Sequence, residues 1–242
     1  MSAGPASVTF LGHSGFLAEL PEASVLFDWS EGPLPPLNPA RPLYVFASHA
    51  HEDHFRPEIF RLDDGSREIR FLLGHDIKLS PRNLRRWDLS PETADRCLSL
   101  RGGQTLTLPE LTVEALSSTD EGEAFLVSAG GRTLFHAGDL NWWHWEGEDR
   151  AWNRNMEASF LRYTEPLRGR SIDLGLLPLD PRLGEDGFRG PAHFLEIADI
   201  AHVIPMHQWG DFSFTDRFLA RYPQYADRLW PVRAPGQVFQ LP

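Results

Sequence analysis

The sequence SHAHEDH at positions 48–54 places three imidazoles and two carboxylates within seven residues. Imidazole and carboxylate together are suitable ligands for zinc, manganese or iron. His49 and His51 are two positions apart and can reach one ion, whereas the adjacent Asp53 and His54 have diverging side chains and can reach a second. Neither pair completes a coordination sphere, because a catalytic zinc site takes about three protein ligands and a water. Ligands from elsewhere in the chain must therefore complete the site.

Two later segments offer such ligands, and each lies at the end of a predicted strand. Asp139 follows the apolar run RTLFHA at 132–137, and His207 ends the run HVIPMH at 202–207. A lone carboxylate or imidazole in such a place is more often a cap or a satisfied polar residue. Their combination with the first loop, in this chain order, is far more specific and predicts a metal centre.

The elements that must position these residues are predicted from apolar periodicity. The run LYVFA at 43–47 is continuously apolar, which is typical of a strand buried on both faces, and the histidine-rich loop follows its C-terminal end, where α/β folds usually place their sites. Other strands are expected at 7–10, 15–20, 24–27, 69–73, 104–108, 111–116, 124–129, 132–137, 172–179, 202–207 and 237–241. Helices are expected at 148–168, 191–201 and 214–222. This order predicts two sheets with helices outside them.

Composition limits the possible classes of function. The chain has 242 residues, 41% of them apolar, with no linker or repeat, which predicts one domain spanning residues 1–242. A net charge of −11 disfavours nucleic-acid binding, although a bound metal could still attract a small anionic substrate. We expect no membrane span and no signal peptide. The single cysteine, Cys97, excludes an internal disulfide and a cysteine-based zinc site, so we expect a cytoplasmic protein.

Four segments resemble the metallo-β-lactamase-fold hydrolases. They are VLFDWS around Asp28, HAHEDH at 49–54, HAGDL around Asp139 and PMHQW around His207. The resemblance covers nearly the whole chain and is closest to a single-domain branch that includes sugar-phosphate lactonase-like proteins. It implies an α/β fold, a four-layer αββα sandwich with the metal site at one edge of the two sheets.

The resemblance also implies a role for each matching residue. His49 and His51 would bind the first ion, and His207 would join Asp53 and His54 at the second. Asp139 would bridge the two ions. Asp28 would hydrogen-bond a ligand histidine and fix its orientation, the alternative being a simple turn carboxylate after a strand.

One expected ligand is missing from the sequence. Members of the family carry a further histidine for the first ion before the GD motif, but the corresponding segment LSSTDEGEAF at 116–125 contains none. We choose Asp120 as the replacement, because it lies nearest the expected position. A carboxylate there would shift the preference from zinc toward manganese or iron; alternatively, Asp120 only caps a turn. The other oxygen-bearing candidates in the segment are Glu121, Glu123, Ser118 and Thr119.

Several histidines and tryptophans are candidates for the surroundings of the centre. His13 lies in a glycine-flanked loop that could face the site, His144 could contact substrate or replace the lost ligand, and His193 opens a helix before the His207 strand. Trp143 follows Asp139 closely, and Trp209 follows His207. Such rings either wall a substrate pocket or anchor the loops that carry them.

The chemistry that these residues predict is metal-assisted hydrolysis. One or two divalent ions, with zinc favoured over manganese and iron, would lower the pKa of a bound water, which Asp53 would orient beside His54. The resemblance implies a small ester, lactone or phosphodiester as the substrate. The sequence contains no G-x-S-x-G or P-loop motif, so covalent and nucleotide-hydrolysing mechanisms lack support. The alternatives are a di-iron redox or sensor protein and a degenerate, non-catalytic metal-binding member. The sequence predicts no oligomeric state.

Overall fold

The strands of the computed structural model, which describes residues 6–242, form two sheets. Residues 1–5 of the predicted domain lie outside the described residues. The first sheet begins with β1 (Ala6–Gly12), β2 (Gly15–Glu19), β3 (Ser24–Phe27), β4 (Leu43–Ala47), β5 (Ile69–Gly74) and β6 (Cys97–Leu100). The second contains β7 (Thr105–Thr107), β8 (Leu111–Ser117), β9 (Glu123–Ala129), β10 (Arg132–His136), β11 (Ser171–Pro178) and β12 (Asp199–Met206). The last strand, β13 (Val238–Leu241), returns to the first sheet beside β1.

Helices occupy the connections between strands. The α-helices are α1 (Pro81–Arg86), α2 (Pro91–Ala94), α3 (Arg150–Thr164), α4 (Arg189–Ile197) and α5 (Phe214–Arg221). Short 3₁₀ helices span Pro57–Leu62, Glu165–Leu167, Pro181–Phe188 and Pro223–Tyr225. Within residues 6–242, every helix is too short or too polar to cross a membrane.

The first sheet is buried on both faces, as the apolar run at 43–47 predicted. Tyr44 and Phe46 of β4 belong to the core between the sheets, whereas Leu43, Val45 and Ala47 belong to a second core on the outer face. This alternation follows from the two-residue period of a strand. A strand with apolar side chains on both faces needs a cover on each side, and the cover determines the number of layers.

The outer layers are helical. The 3₁₀ helix Pro57–Leu62 places Ile59 and Phe60 against the outer face of the first sheet. On the far side of the second sheet, Phe194 of α4 lies 5.5 Å from Phe135 of β10, measured between ring centroids. The predicted αββα class is therefore confirmed: two sheets pack face to face, with helices on both outer surfaces.

The sequence predictions placed one helix end too late and missed several short elements. The helix expected at 191–201 ends at Ile197, because Asp199 already pairs with Ser171 of the neighbouring strand. Strand β6 and helices α1 and α2 were not predicted. Their sequences are short and mixed in polarity, and β6 forms the edge of its sheet, where apolar alternation is weak. In β6, burial raises the pKa of the Cys97 thiol to about 12, so this thiol remains protonated at neutral pH.

The parallel strands of both sheets place their C-terminal ends at one edge of the sandwich. β3, β4 and β5 run parallel in the first sheet, and β10, β11 and β12 run parallel in the second. Parallel strands present all their C-terminal ends at the same edge of a sheet. The loops that follow these strands therefore meet at one edge of the sandwich.

A glycine determines how closely the loop after β8 approaches the loop after β4. Gly122 has φ +65°, and a Cβ at this position would collide with the Ser48 carbonyl oxygen and lie 2.6 Å from His49 Cβ. The amide of the next residue, Glu123, donates to the same carbonyl oxygen over 3.0 Å. Only glycine fits this contact between the loop after β8 and the loop after β4.

We predict that Gly122→Ala lowers the free energy of unfolding by at least about 2 kcal/mol, because a positive φ and a backbone collision both disfavour the added methyl. Urea denaturation followed by circular dichroism measures this change. Gly147→Ala is the matched control, since a Cβ there meets nothing within 4 Å. Equal stabilities of the two variants would contradict this account of Gly122.

Candidate metal centre

The chemistry-bearing residues lie at the shared edge of the two sheets. Asp28 follows β3, and SHAHEDH at 48–54 follows β4. In the second sheet, three parallel strands are followed in the same way by Asp139, Asp180 and His207. Strand direction therefore brings together side chains as far apart in sequence as Asp28 and His207.

The loop 48–54 is held in place by Asp28. Its Oδ1 accepts the Ser48 backbone N–H over 2.7 Å, and its Oδ2 accepts the Ser48 hydroxyl over 2.6 Å. His54 Nδ1 donates to the same Oδ2 over 2.7 Å. A proton on Nδ1 leaves the lone pair of His54 on Nε2, which points into the site. Asp28 thus fixes both the loop and the tautomer of one candidate ligand.

Two groups of potential ligands form around this loop. We call His13, Asp53, His54 and His207 the His54 cluster, and His49, His51, Asp120 and Asp139 the His51 cluster. Within each cluster the four candidate ligand atoms lie within 4.8 Å of one another. The structure thus divides the SHAHEDH residues between two adjacent clusters.

Asp139 lies between the two clusters. Its Oδ1 is 3.2 Å from His54 Nε2 and 3.5 Å from His207 Nε2, whereas its Oδ2 is 3.7 Å from His49 Nε2. The two oxygens of one carboxylate therefore face different clusters. This is the arrangement that a bridging ligand requires.

Several buried atoms at this point lack a hydrogen-bond partner within residues 6–242. They include His13 Nε2, His54 Nε2 and Asp139 Oδ1. A buried polar atom without a partner is costly, and such atoms are rare in native structures. Atoms of this kind that converge on one place, from imidazole and carboxylate groups, fit the donor set of a divalent transition metal.

His13 is more closely involved than the sequence suggested. It lies in the turn between β1 and β2, and its Nε2 is 3.3 Å from Asp53 Oδ2. Its ring centroid is 4.2 Å from that of His207, and its carbonyl oxygen accepts the His207 backbone N–H over 3.1 Å. Sequence reasoning placed His13 near the pocket, but the structure places it among the candidate ligands.

The backbone at the centre is unusual. Five non-glycine residues among those described have a positive φ: His13, Asp28, Asp88, His207 and Trp209. Only Asp88 lies away from the centre. Positive φ is uncommon for residues other than glycine and persists where surrounding contacts enforce it, often at functional sites.

Asp180 was not singled out from the sequence. Its Oδ2 accepts from His207 Nδ1 over 2.9 Å, which keeps a proton on Nδ1 and leaves Nε2 as the nitrogen that faces the cluster. Asp180 is fully buried and also accepts from the backbone N–H and the guanidinium of Arg182. The available signal was its position directly after the buried run 172–179, the same position that Asp139 occupies after β10.

Neighbouring charges keep His207 and Asp139 ionised although both residues are buried. Burial opposes the charged form of His207, but Asp139 and Asp180 outweigh it and raise the pKa of His207 to about 9. Burial likewise opposes ionisation of Asp139, yet His54 and His207 hold its pKa well below the usual range. Burial lowers the pKa of His49 to about 4, so this imidazole is neutral and free to act as a ligand.

In the His51 cluster, a carboxylate occupies the place where the sequence lacked a histidine. Asp120 Oδ2 lies 3.4 Å from His51 Nδ1, whereas Glu121 reaches only to 4.0 Å from His51. Burial and the nearby charge of Asp139 raise the pKa of Asp120. The third candidate carboxylate, Glu123, points away and binds the ring and backbone N–H of His75.

The segment that carries Asp120 is tied to the loop after Asp139. Thr119 Oγ1 donates to the Asn141 carbonyl oxygen over 2.7 Å and accepts the Asn141 backbone N–H over 3.0 Å. This reciprocal pair fixes the separation of the two loops. Asp120 and Asp139 therefore approach one centre from neighbouring, connected segments.

Two predicted pocket histidines lie elsewhere. His144 is 3.9 Å from the Asp186 carboxylate, in a different surface depression, because the loop after Trp143 turns outward. His193 packs on Phe160 and bonds Thr164 Oγ1 over 3.1 Å, because its helix packs against α3 rather than over the metal centre. Neither residue belongs to a ligand cluster.

The tryptophans divide between the two roles considered. Trp142 packs against Phe160 and anchors its loop to α3. Trp143 donates from Nε1 to the Asp139 carbonyl oxygen over 2.9 Å and also lines the cavity above the centre. This cavity of about 300 Å³ exposes members of both clusters, and Trp145, Trp152, Trp209, Met156 and Arg182 form its remaining walls together with Thr119.

Residues 7–144, more than half of the chain, match the model of the beta-lactamase superfamily domain. The matched region contains every member of the His51 cluster. A relative from Heliobacterium modesticaldum, named a UPF0173 metal-dependent hydrolase, is 25% identical, and the alignment covers 97% of each chain.

Solved structures share the fold at lower identity. Igni18, described as a novel metallo hydrolase from Ignicoccus hospitalis, has a TM-score of 0.65 at 18% identity and covers 99% of both chains. CmlA, a diiron beta-hydroxylase from Streptomyces venezuelae, has a TM-score of 0.66 at 13% identity, covering all of this chain and 54% of CmlA. At these identities the likeness extends to the fold alone.

We predict that Asp180→Ala weakens zinc binding by about 10–100-fold, because the hydrogen bond that orients His207 is lost. Competition with a chromogenic chelator measures the affinity. Asp180→Asn should retain part of it, since an amide oxygen still accepts from His207. The control is Asp216→Ala, which removes only an exposed pair with Arg233; an Asp180→Ala protein that binds zinc as tightly as this control would disprove the positioning role.

Proposed function

Because this chain belongs to the beta-lactamase superfamily, we propose that the two ligand clusters make it a metal-dependent hydrolase acting on a small ester, lactone or phosphodiester. The observation that supports the proposal best is the position of Asp139, whose two carboxylate oxygens face the two clusters. A shared carboxylate between nitrogen-rich clusters is suited to holding two ions close together.

The two clusters differ in their donors. The His54 cluster offers three imidazoles and one carboxylate, and the His51 cluster offers two imidazoles and two carboxylates. We propose zinc for the His54 cluster, and the harder manganese or iron as alternatives to zinc in the more exposed His51 cluster. When bound, such ions supply a water of lowered pKa and positive charge to stabilise developing negative charge.

Asp53 is the residue best placed to orient the attacking water. Its side chain is about one-third exposed, at 35%, and lines the cavity, whereas the candidate ligands His54 and His207 are buried. His13 Nε2 lies 3.3 Å from Asp53 Oδ2, and this proximity keeps the pKa of Asp53 below its usual range, so the carboxylate is ionised and able to accept a hydrogen bond. We propose that Asp53 orients the water toward the scissile bond by accepting a hydrogen bond from it.

The cavity favours a small substrate. Its volume of about 300 Å³ lies at the lower end of the usual range for ligand pockets, roughly 300–1,000 Å³. The acidic chain, with a net charge of −11, supports the proposal that nucleic acid is not the substrate.

Removal of the ions tests the function directly. We expect the protein treated with a chelator to lose all turnover of a panel of simple lactones, aryl esters and phosphodiesters, and to regain it with zinc or manganese. His54→Ala should lose turnover and bound metal together, because it removes a buried candidate ligand of the His54 cluster. Visible absorbance from iron, without any hydrolysis, would instead support a di-iron redox protein.

Asp120 has its own test. We expect Asp120→Ala to reduce the bound metal from two ions to one per chain, because the His51 cluster then loses one of its four donors. Metal content by mass spectrometry of the native protein measures the stoichiometry. Glu121→Ala is the matched control, since Glu121 is exposed and farther from His51. Unchanged stoichiometry in Asp120→Ala would show that Asp120 only shapes its turn.

His13 can be tested in the same way. We expect His13→Ala to weaken binding of the ion at the His54 cluster while the His51 cluster still binds its ion. His13→Gln offers a matched variant, because its amide can still hydrogen-bond Asp53. If both variants bind metal like the unmodified protein and differ only in turnover, His13 positions Asp53 and is not a ligand.

A further inference from the structure

We propose that the substrate carries a flat, uncharged apolar group, such as an aryl ring, which lies against a wall of tryptophans beside the metal centre. The scissile bond would then belong to a carboxylic ester or lactone rather than to a phosphate ester. This proposal rests on the hydrolase function proposed above and adds the class of substrate.

The wall is made of tryptophans from three separate segments of the chain. Trp143 and Trp145 follow β10, and their rings are stacked with centroids 6.3 Å apart and planes inclined by 5°. Trp152 comes from α3, and Trp209 follows His207. All four line the same cavity as Asp53 and Asp139, so a group bound to them lies within reach of the centre.

Hydrogen bonds hold the segment that carries Trp143 and Trp145. Asn153 of α3 accepts the Trp145 backbone N–H over 3.0 Å and donates to the Trp145 carbonyl oxygen over 2.9 Å. Trp143 is bonded to the backbone of Asp139 itself. A wall fixed in this way is preorganised, so a ligand that stacks on it loses little to ordering of the protein.

The wall remains accessible in spite of this rigidity. Trp152 is 36% exposed and Trp209 is 51% exposed, which is unusual for such large apolar side chains. Exposed aromatic area beside convergent polar groups is typical of ligand sites. The exposed faces of these two rings are therefore available to a substrate.

The charges around the cavity argue against an anionic substrate group. Arg182 is the only lysine or arginine that lines the cavity among residues 6–242, and its Nε and one Nη atom already bind the buried Asp180 carboxylate. Its guanidinium lies over the Trp209 ring, 4.5 Å from the centroid. Phosphate recognition normally uses unpaired basic groups or exposed backbone N–H groups. Arg182 instead supports the wall and the orientation of His207.

The test compares two metal-chelating probes that differ only in the aryl group. We expect phenylacetohydroxamate to bind the zinc-loaded protein about tenfold more tightly than acetohydroxamate in calorimetry, since stacking and burial of one ring are worth about one factor of ten. Trp152→Ala should reduce this ratio by about fivefold and leave acetohydroxamate binding within about twofold. Trp230→Ala is the matched control, because Trp230 stacks on His202 and Phe239 away from the cavity.

Different failures can be told apart. Equal affinities of the two hydroxamates, or a ratio that Trp152→Ala does not change, would overturn the tryptophan wall. Tighter binding of the 4-carboxy derivative than of phenylacetohydroxamate would overturn the uncharged character. A ratio that behaves as expected in a protein without hydrolytic activity would contradict the proposed function but support the wall, whereas no binding of either probe would count against the metal centre and both proposals.

Discussion

The structure depends on one buried carboxylate, that of Asp139. A carboxylate in a protein interior carries a large desolvation cost, which positive partners must offset. His54 and His207, whose positive charges hold the pKa of Asp139 low, approach its Oδ1, whereas the neutral His49 approaches Oδ2. Each of these imidazoles lies on a loop that follows a parallel strand, so the charge of Asp139 is balanced only where the two sheets bring these loops together.

Two further carboxylates hold the histidines that balance the charge of Asp139. Asp28 holds Nδ1 of His54, and Asp180 holds Nδ1 of His207. Each therefore keeps a proton on Nδ1 and leaves Nε2 as the nitrogen that faces the centre. The positive φ angles of Asp28, His207 and His13 are part of this arrangement, since the backbone accepts unfavourable conformations to aim these side chains.

The fold class was predictable because it follows from patterns that the sequence shows directly. Continuous apolar runs such as 43–47 and 172–179 become strands buried on both faces, and Gly130-Gly131 forms a tight hairpin turn with both φ angles positive. The end of the helix near residue 197 was not predictable, since pairing with a distant strand ended it. Asp180 was missed for a similar reason: its position after β11 acquires meaning only when β11 lies between β10 and β12. His144 and His193 show the converse error, because nearness in sequence to a site did not bring them close in space.

The two clusters of the centre differ in the number of imidazoles that they contain. The family's further histidine is missing from this sequence, and the His51 cluster contains Asp120 as well as Asp139, whereas His13 gives the His54 cluster a third imidazole. A change from imidazole to carboxylate at one position makes the His51 cluster harder and more negative, and the extra imidazole makes the His54 cluster softer. Asp120 and Asp139 are then two carboxylates in one cluster, and their mutual repulsion raises the pKa of Asp120 in addition to the effect of burial. A cation between them removes this repulsion, so occupancy of the His51 cluster should be more sensitive to the charge and hardness of the ion than occupancy of the His54 cluster.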